Sequence, residues 1–342
     1  MPFTGITLNP GPARLEYNMK LLSYQANGIA KIGVLVENRI LDLNAAFDAN
    51  LGGSFNDIGK SCGLDMLALL DMGGDGLREA RKAVDGASDM IESESGGSLC
   101  ESGLLHDVDN VNFMAPIPRP RKNIVCLGLN YADHVAEGSK TLEKSRPLPE
   151  HPIFFTKPPT AVTGPFDDIV YPKATERLDY EVELAVIMGK EGKYIPEEDV
   201  YDHIAGYTVF NDVSARDLQR MHSQWYKGKS CDTFAPMGPY LVTSEEIGDP
   251  MNLGVRLKVN GKTRQESNTS NMIFDIKKIV STLSAGITLE AGDIIATGTP
   301  SGVGSAHPLG LLNVGDEVET WVENIGAMRN RVVSEKKTRV KL

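Results

Sequence analysis

Cysteine is scarce in this chain of 342 residues: Cys62, Cys100, Cys126 and Cys231 lie far apart, form no C-x-x-C pair and have no histidine at ligand spacing. That distribution excludes a zinc-ribbon site and a disulfide framework, and predicts reduced thiols. Basic charge is also in deficit, with 35 Lys and Arg against 46 Asp and Glu and a net charge of -11. Affinity for nucleic acid rests on Lys and Arg neutralising phosphates, so a deficit without any basic run argues against such a partner. No window approaches the ~18 consecutive apolar residues that a membrane-spanning helix needs, so no membrane partner is expected. Residues 1–19 show neither the basic start nor the apolar run of a signal peptide, and a cytoplasmic location is expected. What remains is ordinary: 41% hydrophobic and 24% charged residues exclude disorder and coiled coil, and the length predicts two domains.

Pro10, Gly11 and Pro12 mark residues 1–18 as an N-terminal arm. Residues 19–114 form a small N-terminal α+β domain. Within it, 20–43 holds β-rich runs divided by Asn27-Gly28 and Glu37-Asn38, a hairpin pattern. A helical stretch near 63–71 is followed by a break at Gly73-Gly74-Asp75-Gly76. An amphipathic helix then carries Leu77, Ala80, Ala83 and Val84 on one stripe, and 92–102 forms a polar surface loop. Pro116, Pro118 and Pro120 favour an extended connector, which places the second domain at 115–342. There the β signal dominates, in runs at 124–130, 179–189, 203–212, 255–265, 293–299 and 316–324. The expectation is α+β with a β core rather than a doubly wound parallel sheet.

Chemistry gathers in the second half. In LDYEVELAV, side chains on a strand alternate, so Glu181 and Glu183 share a face, and the apolar run Leu184–Met188 places that strand in a core. Two ionised carboxylates held there repel one another and lack water, a conflict that a divalent cation resolves. Asp212, ending the apolar run YTVFND, supplies a third oxygen ligand, and three carboxylates suit Mg²⁺ or Mn²⁺. In LGLNYADHVAEG, His134 and Glu137 stand three apart on one helix face, where a carboxylate raises the basicity of an imidazole. The polar, Pro-interrupted segment 139–151 after them has the composition of a lid. Arg216 and Gln219 follow Asp212 on a helix, and Lys229 lies among small residues where an ammonium neutralises a carboxylate or enolate. TGTPSGVG at 297–304 lacks the order of a P-loop or a dinucleotide fingerprint, so no nucleotide cofactor is expected. Its amides, that of Gly298 included, together with the Thr299 hydroxyl suit an anion.

Together the strings GLNYADHVAE, LDYEVELAV, GYTVFNDVSARDLQ, KGKSCDTFAPMGP and TGTPSGVG, in this order, resemble the fumarylacetoacetate hydrolase family over roughly residues 115–333. The stretch 19–43 is similar to the small N-terminal domain of bacterial-type members. The resemblance implies a mixed β-roll or β-sandwich core and a homodimer. It implies Glu181, Glu183 and Asp212 as ligands of one Mg²⁺ or Mn²⁺, and His134 with Glu137 as a catalytic dyad. Lys229 would stabilise developing negative charge, and Arg216, Gln219 and Thr299, with Gly298 beside it, would contact substrate. Known activities of such proteins, in aromatic or sugar-acid catabolism, share a 2-oxo acid whose enolate the metal stabilises. The leading expectation is hydrolysis of a C–C bond in a 2,4-dioxo acid. The alternative, at the same site, is decarboxylation or tautomerisation of oxaloacetate, or isomerisation of a hydroxymuconate-type dienoate.

Overall fold

A computed structural model describes residues 18–51, 64–93, 100, 102–141, 147–307 and 310–336. The expected arm, save Asn18, falls outside them, as do most of the polar loop at 92–102 and residues 142–146 of the expected lid. Among the described residues no helix is long and apolar enough to cross a membrane.

The first hairpin joins Lys20–Ala26 to Ile29–Val36 through Asn27 and Gly28, whose φ angles of 51° and 80° match the twist that antiparallel strands require. Leu21 pairs with Leu241, so these N-terminal strands extend the sheet that carries the later motifs. That sheet of twelve strands runs Leu105–Asp107, Arg39–Asp42, Ile29–Val36, Lys20–Ala26, Ala235–Thr243, Ile204–Asn211, Val182–Met188, Ile294–Ala296, Ile124–Gly128 and Ile153–Lys157, with two short strands off this path. Most pairs are antiparallel, but Ile294–Ala296 lies parallel to Ile124–Gly128. Its central strands, Val182–Met188 and Ile204–Asn211, are buried at every position, which is why they appear in the sequence as unbroken apolar runs rather than alternating ones.

A second sheet of five strands, ordered Lys262–Asn268, Gly254–Val259, Glu317–Val322, Gly326–Ser334 and Ile169–Tyr171, packs on the middle of the first. Gly254–Val259 and Glu317–Val322 alternate buried and accessible residues, so one face seals the core and the other meets water. Helices are few and peripheral. Gly74–Ser93 presents Ala80, Ala83 and Val84 to the core, and the glycine break before it shrinks to Met72 and Gly73, the latter at φ 58°. The architecture is α+β, a mixed-sheet β-sandwich as expected.

Among the strands of five or more residues, three escape the sequence pattern: Ile153–Lys157, Ala235–Thr243 and Gly326–Ser334. Pro236 and Pro239 conceal the second. Proline donates no ladder hydrogen bond, and the register with Ile204–Asn211 shifts between Tyr207 and Val209 to accommodate the run.

Candidate active site

Register brings the carboxylates together. Val182 pairs with Asn211, the Asn211 side chain accepts from the Glu181 amide at 3.0 Å, and the Asp212 amide donates to the Glu181 carbonyl at 2.9 Å. Glu181, Glu183 and Asp212 therefore converge at the ends of two central strands, buried, with ligand oxygens within 4.8 Å of one another. Three cations surround them. Lys229 donates to Glu181 Oε2 at 2.7 Å and to Asp212 Oδ2 at 2.5 Å. Arg216 donates through Nη2 to Glu181 Oε1 at 2.6 Å and through Nε to Asp179 Oδ2 at 2.7 Å. Lys157, fully buried, lies 2.5 Å from Asp212 Oδ1 and donates to the carbonyls of Val213 and Lys229 at 3.0 and 2.5 Å. Four carboxylates, counting Asp179, face three cations, leaving one uncompensated negative charge in a water-poor core.

Glu183 carries that excess. Its Oε2 accepts from the Gly298 amide at 2.8 Å, while its buried Oε1 has no hydrogen-bond partner. Burial first, then the charges of Asp212 and Glu181, push its carboxyl well above the usual range. Burial would lift Glu181 too, but Lys229 and Arg216 outweigh it and hold that carboxyl below the usual range. An orphaned buried oxygen within an all-oxygen donor set fits a hard divalent cation.

The dyad sits on the helix Ala132–Thr141. Before it, Leu129 adopts φ 57°, and the buried Asn130 side chain donates to the carbonyls of Phe274 and Thr297 and accepts from the Phe274 amide, fixing the helix entry. His134 Nδ1 lies 3.5 Å from Glu137 Oε2. Both Glu137 oxygens accept from the Gly302 amide, at 3.0 and 3.1 Å, and Ser301 donates to Asp133 at 2.8 Å. The glycine-rich loop thus holds anions that belong to the protein. Its Gly298 amide takes Glu183, Gly302 takes Glu137, and the amides of Gly304 and Ser305 take Asp179 at 2.6 and 3.0 Å. The Thr299 hydroxyl accepts from Gln265 at 2.8 Å. Only glycine fits at 298: φ is 98°, and a Cβ would stand 2.8 Å from Asn130 Cβ.

A cavity of about 430 Å³ opens over this cluster. His134, Glu137, Glu181 and Lys229 line it with Arg216, Gln219 and Thr299, whereas Glu183, Asp212 and Gly298 are not among its lining residues. One wall is aromatic: Trp225 meets Phe155 edge-on, and Phe155 lies 5.0 Å from the Lys229 ammonium. Gly128 admits Trp225, since a Cβ there would come within 2.3 Å of the indole. Lys157, Asp179, Phe155 and Trp225 are absent from the sequence-derived site. A lone lysine in HPIFFTK and an aspartate beside a more conspicuous E-x-E pair give no local signal.

Residues 123–333 match the family model described as fumarylacetoacetate hydrolase, C-terminal. A Bacillus subtilis protein named oxaloacetate tautomerase YisK is 49% identical over 232 residues, covering 67% of this chain and 75% of its own. The mitochondrial oxaloacetate tautomerase FAHD2A of Bos taurus is 38% identical over 329 residues, 94% of each chain. Among solved structures, maleylpyruvate hydrolase from Sphingobium in complex with manganese(II) and pyruvate superposes with a TM-score of 0.66 at 28% identity, over 93% of this chain and 100% of that one.

Proposed function

Since the chain belongs to the fumarylacetoacetate hydrolase family, we propose that it interconverts the keto and enol forms of oxaloacetate. The observation that carries this reading is the match, nearly end to end in both chains, to a protein named for that reaction. Tautomerisation thereby displaces hydrolysis as the leading reading. It asks less of the site: one C3–H bond breaks, one O–H bond forms, and no water is consumed.

Glu181, Glu183 and Asp212 would hold Mg²⁺ or Mn²⁺, which when bound polarises the keto oxygen and acidifies C3. His134, lining the cavity with Glu137 beside its Nδ1, takes the C3 proton and returns it in the reverse direction. Glu137 orients the ring and is itself fixed by Gly302. Burial alone would lower the Lys229 pKa, but Asp212 and Glu181 raise it, so the group stays an ammonium and donates toward the oxygen that becomes the enol. Phe155 and Trp225 form an aromatic wall of the cavity beside the Lys229 ammonium.

The test supplies the enol form of oxaloacetate to the Mn²⁺-loaded protein and follows loss of enol absorbance while assaying pyruvate and carbon dioxide. Acceleration over buffer without pyruvate supports the reading; a rate equal to buffer, with and without metal, overturns it. Hydrolysis of 2,4-dioxo acids is the second reading, favoured by the likeness to maleylpyruvate hydrolase. Release of pyruvate plus a carboxylic acid from acylpyruvates would establish it.

A further inference from the structure

We propose that Arg220 selects dicarboxylic 2-oxo acids by binding the carboxylate remote from the reacting end, an inference that rests on the tautomerase reading. Oxaloacetate carries two carboxylates, and the cations deep in the site are already matched to the protein's own. All three nitrogens of Arg216 donate within the chain, Nε to Asp179, Nη2 to Glu181 and Nη1 to Gln219 Oε1 at 3.1 Å. Lys157 and Lys229 face Asp212 and Glu181. Arg216 and Lys157 cannot grip a second ligand carboxylate without abandoning a buried partner, and the one donor that Lys229 has beyond Glu181 and Asp212 is the one assigned to the enol oxygen.

Arg220 differs. On the helix Arg216–Met221, positions 216, 219 and 220 are spaced i, i+3, i+4 and share one face, and these are the helix residues that line the cavity. Leu218 turns into the core, and Asp217 accepts from the Glu176 amide at 2.9 Å on another side. One turn out from Arg216, Arg220 therefore stands on the cavity rim, exposed, and no carboxylate among the described residues pairs with it. A guanidinium so placed offers the planar fork that a carboxylate accepts bidentately. The ligand would lie with its oxo-acid end among Glu181, Lys229 and Thr299 and its second carboxylate at the rim.

The experiment uses the Mn²⁺-loaded full chain. Arg220→Met keeps side-chain length and removes the charge, and Arg220→Lys keeps the charge without the fork. In Arg220→Met the KM for oxaloacetate should rise on the order of tenfold, the loss of about 1.4 kcal/mol of charge-assisted hydrogen bonding, while kcat stays within about twofold. Inhibition by oxalate, which has no remote carboxylate, should be unchanged, and Arg220→Lys should recover part of the loss. An unchanged KM, or an equal loss of oxalate and oxaloacetate binding, overturns the proposal. Should the wild-type protein not turn over oxaloacetate, the tautomerase reading fails separately. Calorimetric titration with oxaloacetate and with 2-oxobutyrate then decides on Arg220 alone: a dicarboxylate preference that vanishes in Arg220→Met supports the assignment, and one that persists, or is absent from the wild type, refutes it.

Discussion

Replacing Glu183 by Gln should make the metal-free protein more stable and the metal-loaded protein less so, a reversal of sign that general damage would not produce. Glu183 lies within 4.8 Å of both Asp212 and Glu181, and at an effective dielectric of 20 each such pair repels by about 3.5 kcal/mol. Lys229 offsets part of this, and Gly298 donates one hydrogen bond, so a net gain of about 1–3 kcal/mol is expected when the charge is removed. Glutamine keeps an acceptor for the Gly298 amide and presents two N–H donors to the neighbouring carboxylates. With Mn²⁺ at a thousand times its Kd, the wild-type protein gains about 4.1 kcal/mol that a two-carboxylate site forgoes, more than the charge removal returns. Urea denaturation with chelator and with Mn²⁺, in both proteins, gives the four stabilities required.

The pH dependence carries a second check. A carboxyl whose folded pKa lies above its unfolded value, about 4.3, binds more protons when folded, so stability falls as pH rises between the two. The advantage of Glu183→Gln without metal should accordingly vanish below about pH 4 and grow toward neutrality. A metal-free variant less stable than wild type at pH 7, or one still stabilised by Mn²⁺ to the wild-type extent, would refute the assignment of Glu183 to an excess of buried negative charge.

His134→Ala should lower kcat for oxaloacetate tautomerisation by roughly 10²–10⁴-fold and leave calorimetric Mn²⁺ affinity unchanged, because in the proposed reaction the imidazole moves a proton and is not a ligand. Lys157→Met should destabilise the protein by about 3–5 kcal/mol in denaturant, since it strips a buried partner from Asp212 and donors from two carbonyls. Gly298→Ala, forced against Asn130 at φ 98°, should weaken Mn²⁺ binding by about 10–100-fold through displacement of the amide that orients Glu183, measured by titration with the fold confirmed by circular dichroism.

How much of this site is legible without the structure depends on whether each residue's role is written in its own neighbourhood. Glu181 and Glu183 are legible because an E-x-E pair abutting the apolar run to Met188 is a local contradiction, two charges on a core strand, and Asp212 repeats that contradiction at the end of the adjoining strand. The hairpin at Asn27-Gly28 is legible for a similar reason, since the turn's backbone demands those residue types. Helix spacing places His134 beside Glu137, but not the Gly302 amide that holds Glu137, a contact between residues 165 apart in the chain. The glycine-rich loop shows the limit: its spare amides are apparent from composition, yet the anions they hold are Glu183, Glu137 and Asp179.

Lys157 shows why the remainder is hidden. Its strand is bounded by prolines and carries accessible aromatic residues, a pattern of an edge rather than a core, and the strand does lie at the end of the large sheet. Nothing in HPIFFTK states that the last residue alone turns inward to complete burial against Asp212, Val213 and Lys229. That pairing is dictated from the other side. Three converging carboxylates with Asp179 behind them require nearly as many cations, and a chain that buries Arg216 and Lys229 there still falls two charges short. Charge balance thus calls for further positive charge there, from a side chain, a divalent ion or both, without saying that Lys157 supplies part of it. The same reasoning explains why one charge is left over: full neutralisation by side chains would remove the site's affinity for a divalent cation, whereas a single uncompensated carboxylate, at Glu183, preserves it.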